Sequence, residues 1–393
     1  MEVASELYGH AAFVHLLGRN RLKLSWETHY VGDIRGINNE ILDSYMLKSL
    51  DGVINAAYQI AAFYRHPSGH HGQTQIFVKL SDSAEPHIAE NSAVREGYDR
   101  IVACLGFKWD PSVFASSIQP TPILRQKYPQ ISDNYEAAFA TDVFIAGTLA
   151  HSLDYRKSAG GFVHGFRYSA RVLSRLLEWR NHGVPWPIRQ ARLDQLVPTI
   201  LKRANEASGL YQMFTTFVDI AIVHRHNYTF TYIEEFPVTL LHNFPSFTGV
   251  QFDIANDSLF TLSMQYGVNY SGPGKDVFSE YRAVGTPNLA YLSNFLHPVI
   301  YFFRKIPAKY SADTRAEHYF RSQMDGIHHI VEDFTTTFDA VQQHVAPLRN
   351  FVEFHLGIDL KTYLEIDCIK FGLVFGYERL ETLPVGCWRF FGI

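Results

Sequence analysis

The stretch Ala140-Thr-Asp-Val-Phe-Ile-Ala-Gly-Thr148, followed by Asp154-Tyr-Arg-Lys-Ser-Ala-Gly-Gly-Phe-Val-His-Gly-Phe-Arg-Tyr168, decides how this chain is interpreted. The apolar run 143–146 predicts a short buried strand that ends at Gly147-Thr148. The pair Gly160-Gly161 predicts a helix whose first turn a ligand can approach closely. Behind the pair, apolar residues recur at helical spacing: Phe162, Phe166, Ala170, Leu173 and Leu177. This order of strand, turn and helix predicts a dinucleotide site.

The pattern by itself is common among unrelated proteins. The wording of the segment, however, resembles the second flavin-binding motif of FAD-dependent, NADPH-using oxidoreductases of the flavin monooxygenase and disulfide reductase type. More narrowly, the chain resembles a family of endoplasmic-reticulum flavoproteins associated with the degradation of misfolded proteins. The stretches that carry this narrower resemblance are 26–33, 47–52, 98–107, 205–213, 270–276 and 293–301.

The resemblance implies an α/β flavoprotein that binds FAD and takes electrons from NADPH. It implies a partial, Rossmann-like pair of dinucleotide-binding domains in residues 1–185 and an α+β domain of unknown function in residues 188–393. Between them, Gly183-Val-Pro-Trp-Pro187 interrupts the pattern twice with proline, which is where we expect the boundary.

Site residues follow from the resemblance by position. Gly147 and Thr148 are expected against the ribityl-pyrophosphate, and Gly106 is expected near the dinucleotide. The helix is expected to begin at Gly161, Phe162 and His164, with this end directed toward the flavin ring. Related disulfide reductases have Asp where this chain has Thr148, but a hydroxyl also forms hydrogen bonds. No side chain in the sequence stands out as a catalytic acid, base or nucleophile, as expected where a flavin carries the chemistry.

Arg19 and Arg21 follow an apolar run, 12–17, that predicts a strand. At the end of the second strand of a dinucleotide-binding unit, arginine suits the 2′-phosphate of NADPH. A solvated loop is the alternative interpretation of both arginines.

Composition excludes several classes of protein. The chain has 393 residues, a 47% apolar fraction and a net charge of −4, which argues against disorder and against a nucleic-acid partner held by charge. No apolar run approaches the roughly 20 residues that span a bilayer. The histidines at 66, 70 and 71 lie in a turn rich in Pro and Gly, so no metal site is expected.

The resemblance implies a place in the endoplasmic-reticulum lumen and partners among degradation-pathway proteins. Sequons at Asn227, Asn256 and Asn269 suit a lumenal glycoprotein, although one or two arise by chance in a chain of this length. No signal peptide or retention signal is recognisable in the sequence.

An alternative function stays open. The sequence contains neither glycine-rich turn that the family needs, so the chain reads as N-terminally truncated, and a non-catalytic adaptor that binds proteins through its C-terminal domain is the second hypothesis. Cys104 is expected in the core of a strand over 99–106. Whether Cys368 and Cys387 pair is not determined by the sequence.

Overall fold

The structure is a computed structural model that describes residues 2–7, 10–11, 14, 16–18, 54–56, 60–67, 74–80, 97–118, 120–155, 157–267, 280–309, 316–332 and 337–360. It divides into two compact units. The first comprises Met1–Gly106 and Tyr270–Ser279, and the second comprises Phe107–Asn269 and Glu280–Ile393. The boundary predicted at 185–188 lies inside the second unit and remains a prediction about functional modules.

In its described residues, the first unit has one short helix and two small sheets. The helix α1 is Glu2–Leu7. The strands β1 (Leu16–Gly18) and β2 (Ile54–Ala56) pair in parallel, and β3 (Ile60–Pro67) and β4 (Thr74–Leu80) form an antiparallel hairpin. The sequence predicts the end of a helix over 2–8 and an alternating strand over 75–80, and both are confirmed. The strand β1 falls at the end of the predicted strand over 12–17.

The second unit is built on a six-stranded antiparallel sheet, so the chain has a mixed α/β fold. Its strands are β5 (Ile188–Arg192), β6 (Phe217–His224), β7 (Thr229–Pro237), β8 (Asp257–Gln265), β9 (His297–Phe303) and β10 (Gly326–His329). In space the order is β10-β9-β8-β6-β7-β5. Helices accompany this sheet: α2 (Val163–His182), α3 (Leu196–Glu206), α4 (Ser208–Gln212), α5 (Phe244–Thr248), α6 (Ala316–Arg321) and α7 (Ala346–Leu356).

The middle of this sheet is the hydrophobic core. Every residue of β8 and of β9 is buried, so both faces of these strands are covered. Alternating apolar residues at 260, 262, 264 and 266, and at 299, 301 and 303, predict strands where β8 and β9 lie, and both are confirmed. Large aromatic side chains such as Phe217, Phe260 and Phe302 are at most 1% exposed and fill this core.

A buried ion pair fixes α3 to the sheet. The register of β6 against β7 shifts between Val218 and Ile220. Between them Asp219 accepts hydrogen bonds from Arg203 Nε at 2.6 Å, Tyr232 Oη at 3.1 Å and the backbone N–H of Glu235 at 2.7 Å. Burial raises the pKa of Asp219 to about 6, against the pull of these donors. The carboxylate of Asp219, on β6, thus binds groups of α3 and β7 and ties the three elements together.

The helix α2 is present where it is predicted, but its buried face differs. Gly165, Ser169, Val172, Leu173 and Leu176 are buried. Of the predicted apolar stripe only Leu173 belongs to that set. The buried face lies about 100° around the helix from the stripe, where Gly165 and Ser169 let the helix pack closely. The helix ends at Gly183, whose φ of 67° is left-handed and whose N–H caps the last turn.

Two predicted strands are wrong. Residues 143–146 contain only an isolated bridge between Glu136 and Phe144. Residues 99–106 form no strand and are exposed, so Cys104 is an exposed free thiol rather than a core residue. An apolar run becomes a strand only when a partner supplies the ladder, and none lies beside this one among the described residues. The apolar stripe over 338–352 also predicts a helix interrupted at Pro347. In the structure a π-helical segment, Val341–Val345, gives way to α7 at Ala346, and Pro347 lies in the first turn of α7.

Among the residues that the structure describes, no helix has both the length and the apolar character needed to cross a membrane.

Candidate functional site

The site predicted around Gly147 begins with a tight turn. Gly147 has a φ of 69°, a left-handed conformation that favours glycine, and it opens a 3-10 helix, Gly147–Ser152. Nothing lies within 4 Å of the position that a Cβ at Gly147 would occupy. The hydroxyl of Thr148 donates a long hydrogen bond of 3.5 Å to the carbonyl of Gly161. The fold therefore brings together the two halves of the predicted motif, Gly147-Thr148 and the glycine pair.

A buried carboxylate organises the loop between these halves. Asp154 is 3% exposed and accepts hydrogen bonds from His151 Nδ1 at 2.9 Å and from the backbone N–H of Gly160 at 3.0 Å. The hydroxyl of Ser158, which is fully buried, also donates to Asp154, and Thr216 Oγ1 donates to Ser158 at 3.2 Å. We call Asp154, His151, Ser158 and Gly160 the Asp154 cluster. It fixes the backbone immediately before α2.

The glycines around this cluster are required by packing. A Cβ at Gly160 would lie 2.3 Å from Asp154 Oδ2, and a Cβ at Gly161 would lie 3.0 Å from the His151 ring. A Cβ at Gly165 would lie 2.0 Å from the carbonyl oxygen of Ala159. The sequence predicts Gly160 and Gly161 as places where a ligand approaches the backbone. In the structure, the chain's own side chains and backbone occupy that space.

The N-terminus of α2 stands at the edge of the Asp154 cluster. Its N-cap residue, Phe162, makes no side-chain capping hydrogen bond, and the first turn contains no acidic residue. The N-terminus of this 20-residue helix carries partial positive charge, and no carboxylate in its first turn offsets that charge. Phe162 and Val163 are 44% and 66% exposed, and the Phe162 and His164 rings stack with centroids 5.5 Å apart.

Three aromatic rings complete the site. Tyr128, His151 and Tyr155 contact one another with centroid separations of 5.6–5.8 Å. Sequence reasoning identified none of these three residues and did not identify Asp154. The pattern Asp154-x-x-x-Ser158 before a glycine pair could have indicated a loop held by a carboxylate, because short polar side chains commonly bind nearby backbone N–H groups.

The remaining predicted site residues lie elsewhere. Gly106 belongs to the first unit, where its φ of 82° is left-handed and fits a turn. Arg19, Arg21, Cys368 and Cys387 lie outside the described residues. Within the described part of the chain, no group of three or more His, Cys, Asp or Glu side chains is arranged to hold a metal ion.

Comparison with known proteins supports the flavoprotein interpretation. The chain is 42% identical over 396 residues to a mouse (Mus musculus) protein, and the alignment covers 98% of this chain. That protein is named FAD-dependent oxidoreductase domain-containing protein 2. This chain is its homologue. The zebrafish (Danio rerio) protein of the same name is 35% identical over 408 residues and 95% of the chain.

The chain spans 58% of the length of each of these two relatives. No family model matches the chain, and no solved structure matches it either. The names of the homologues indicate a FAD-dependent oxidoreductase. The similarity covers the Gly147 turn, the Asp154 cluster and the sheet of the second unit, because it extends over nearly the whole chain.

Proposed function

We propose that this protein is a FAD-dependent oxidoreductase and that the N-terminus of α2 faces the flavin ring. The observation that carries the proposal is the uncapped start of α2, joined through Thr148 to the open turn at Gly147. Both features lie in a chain whose homologues are named for FAD. Bound FAD supplies hydride and electron transfer.

The residues present fit the flavin-ring end of FAD. The free space beside Gly147 admits a ligand where any other residue would place a Cβ. The Thr148 hydroxyl lies next to this space and can both donate and accept a hydrogen bond. The start of α2 places partial positive charge where negative charge would develop on reduction, and Phe162 offers an exposed ring surface.

The Asp154 cluster acts as the positioning element in this proposal. By holding His151, Ser158 and the N–H of Gly160, Asp154 fixes the backbone that enters α2. A site built on such a supported backbone needs little rearrangement when a ligand binds. The cluster is buried, so its role is to orient the first turn of α2 rather than to contact the flavin.

A substitution of Val163 tests the placement of the ring. Val163→Asp adds a carboxylate to the first turn of α2 at a position that is 66% exposed, where an acidic residue favours the helix. We expect it to weaken FAD binding about tenfold and to lower the midpoint potential, since a carboxylate disfavours negative charge on reduced flavin. Quenching of FAD fluorescence and redox titration measure the two effects.

The matched control is Val113→Asp, which adds the same charge at a position that is 79% exposed and belongs to another element, the 3-10 helix Pro111–Val113. It should bind FAD as the original protein does. Equal affinity of the Val163→Asp variant and the original protein would contradict the placement of the flavin ring.

We further propose that NADPH is the electron donor and that Arg19 and Arg21 bind its 2′-phosphate, with Gly106 near the dinucleotide. Replacing both arginines by Ala should reduce the preference for NADPH over NADH by a factor of roughly 30–150, the equivalent of a charge-assisted contact. Stopped-flow reduction of the flavin by each nucleotide gives the ratio. An unchanged ratio would assign both arginines to a solvated loop.

We also propose that the protein works in the lumen of the endoplasmic reticulum with degradation-pathway proteins that act on misfolded glycoproteins. Two of the three sequons support this location, because Asn227 and Asn256 are exposed. Asn227 lies in the turn between β6 and β7, where an attached glycan would face solvent. Enzymatic removal of N-glycans from the protein isolated from cells should lower its apparent mass on a gel. The Asn227→Gln variant should show part of the same decrease in mass without enzyme treatment.

A non-catalytic adaptor is the second candidate, and exposed apolar side chains favour it. Leu289 and Leu292, on one 3-10 helix of the predicted C-terminal domain, are 44% and 53% exposed. Apolar side chains exposed close together mark contact surfaces in many proteins. Flavin binding without any reduction by either nucleotide would favour this second function.

A further inference from the structure

A cavity of about 610 Å³ lies along the free edge of β10, in the second unit. One wall consists of Pro287 and Tyr291 from the 3-10 helix Pro287–Leu292. The opposite wall is β10 itself, with Ile327 and His329, and Arg321 at the end of α6 lies beside it. A volume of this size suits a small organic ligand.

Among the described residues that line the cavity, one carries a positive charge, Arg321, and none is Asp or Glu. Arg321 is exposed and forms no ion pair or hydrogen bond with the residues that the structure describes. A guanidinium in an acid-free cavity favours a carboxylate or another planar anion, which it can bind through two parallel hydrogen bonds.

A chain of histidines supplies a second recognition group. The Nδ1 atom of His297 lies 2.8 Å from the carbonyl oxygen of Phe295, so Nδ1 carries the proton and donates to that oxygen. His297 Nε2 therefore accepts, and His329 Nδ1, at 2.8 Å, donates to it. Burial and the nearby Arg321 lower the pKa of His329 to about 3, so this ring is neutral near pH 7. The Nε2 of His329 is consequently left with a lone pair, and it can accept a hydrogen bond from a ligand.

We propose that this cavity binds an organic carboxylate that also carries a hydroxyl group, with Arg321 binding the carboxylate and His329 Nε2 accepting from the hydroxyl. The apolar surfaces of Pro287, Tyr291 and Ile327 contact the hydrocarbon body of the ligand. This site is independent of the flavin site, because no residue of the Gly147 turn or the Asp154 cluster lines it.

Mandelate tests the proposal, because it combines a carboxylate, a hydroxyl and an apolar ring. We expect calorimetric titration of the 393-residue protein with mandelate to show saturable binding at one site. Mandelamide, which lacks the charge, should bind at least tenfold more weakly, since a hydrogen-bonded charge contributes about 1.5–3 kcal/mol. Phenylacetate, which lacks the hydroxyl, should bind about three- to tenfold more weakly.

Arg321→Gln removes the charge without altering the core, because the side chain is exposed. We expect it to weaken mandelate binding at least tenfold. Arg125→Gln, which removes an exposed arginine of the same unit that does not line the cavity, should leave binding within twofold. Equal affinity for mandelate and mandelamide, equal losses in both variants, or no binding of mandelate at all would overturn the proposal.

The role of His329 has its own readout. With ¹⁵N-labelled histidine, mandelate should move the Nε2 resonance of His329, and phenylacetate should move it much less. Equal shifts with both ligands would overturn the assignment of the hydroxyl to His329. Inorganic phosphate that binds as tightly as mandelate would instead show a general anion site and would overturn the ligand class.

Discussion

Substituting Asp154 by Asn is the sharpest test of how the candidate site is held. The change keeps the size of the side chain and removes its charge. Three donors lose a charged acceptor: His151 Nδ1 at 2.9 Å, the N–H of Gly160 at 3.0 Å and the hydroxyl of Ser158. A hydrogen bond to a charged group contributes about 1.5–3 kcal/mol and a neutral one about 0.5–1.5 kcal/mol, a difference of roughly 1 kcal/mol for each.

We therefore expect Asp154→Asn to lower the free energy of unfolding by about 3 kcal/mol. Because the site is buried, water cannot replace the lost hydrogen bonds. For a unit of this size, that loss corresponds to a decrease in Tm of about 6–12 °C. Because the cluster positions the start of α2, FAD binding should also weaken. Chemical denaturation and calorimetry give the stability, and fluorescence gives the affinity.

The matched control is Asp142→Asn, another aspartate of the same unit. Its side chain is 72% exposed and pairs with Arg180 at 2.5 Å. A surface pair of this kind contributes about 0–1 kcal/mol, so the control should be nearly neutral. Similar small effects of both substitutions would refute the reasoning. Ser158→Ala, alone and combined with Asp154→Asn, should show that the two changes are not additive.

Three further predictions concern the rest of the second unit. Burial lowers the pKa of His328 to about 4 and of His329 to about 3, so protonation opposes folding; stability is full above pH 6.5 and falls below it by up to about 1.4 kcal/mol per pH unit for each histidine. Denaturation between pH 7.5 and 5 should show this loss, and His328→Leu should make it shallower, whereas an unchanged slope would contradict the assignment. Arg203→Gln, which leaves Asp219 buried without its cation, should cost about 3–5 kcal/mol, whereas the exposed Lys202→Gln should cost less than about 0.5 kcal/mol. Gly165→Ala should disrupt the start of α2 because of the 2.0 Å approach, whereas Gly183→Ala, with free space but a left-handed φ, should cost only about 1 kcal/mol; equal thermal shifts would contradict this contrast.

The sequence predicts those elements whose signal is local. The helices α2 and α3 and the strands β4, β8 and β9 lie where periodicity predicts them. The strand β6 is missed because its nearly continuous apolar run has no alternation to mark it. The strand β7 is also missed, although Thr229-Phe-Thr-Tyr232 alternates at its start. Over residues 99–106 the error is the opposite one, because an apolar run predicts a strand that the structure does not form. An apolar composition does not supply a pairing partner.

The candidate site divides in the same way. Gly147, Thr148 and Gly161 are found together as the motif predicts. The sequence does not predict that a Cβ at Gly160 or Gly165 would clash, or that Thr216 donates a hydrogen bond to Ser158. These contacts join groups that meet only in the folded chain. No spacing in the sequence encodes the histidine chain from Phe295 to His329, because His297 and His329 are 32 residues apart and meet through the pairing of β9 with β10.

The complete burial of β8 and β9 has a consequence for natural variation. A half-exposed strand can drift at every second position, because a change on its solvent face alters little. These two strands offer no such positions, so a polar replacement at any site along them removes packing or leaves a buried group unsatisfied. Among homologues of this chain, we expect tolerated substitutions in the sheet to concentrate on β5, whose residues are mostly exposed. We expect the centre of the sheet to change only by exchanges of residues of similar volume.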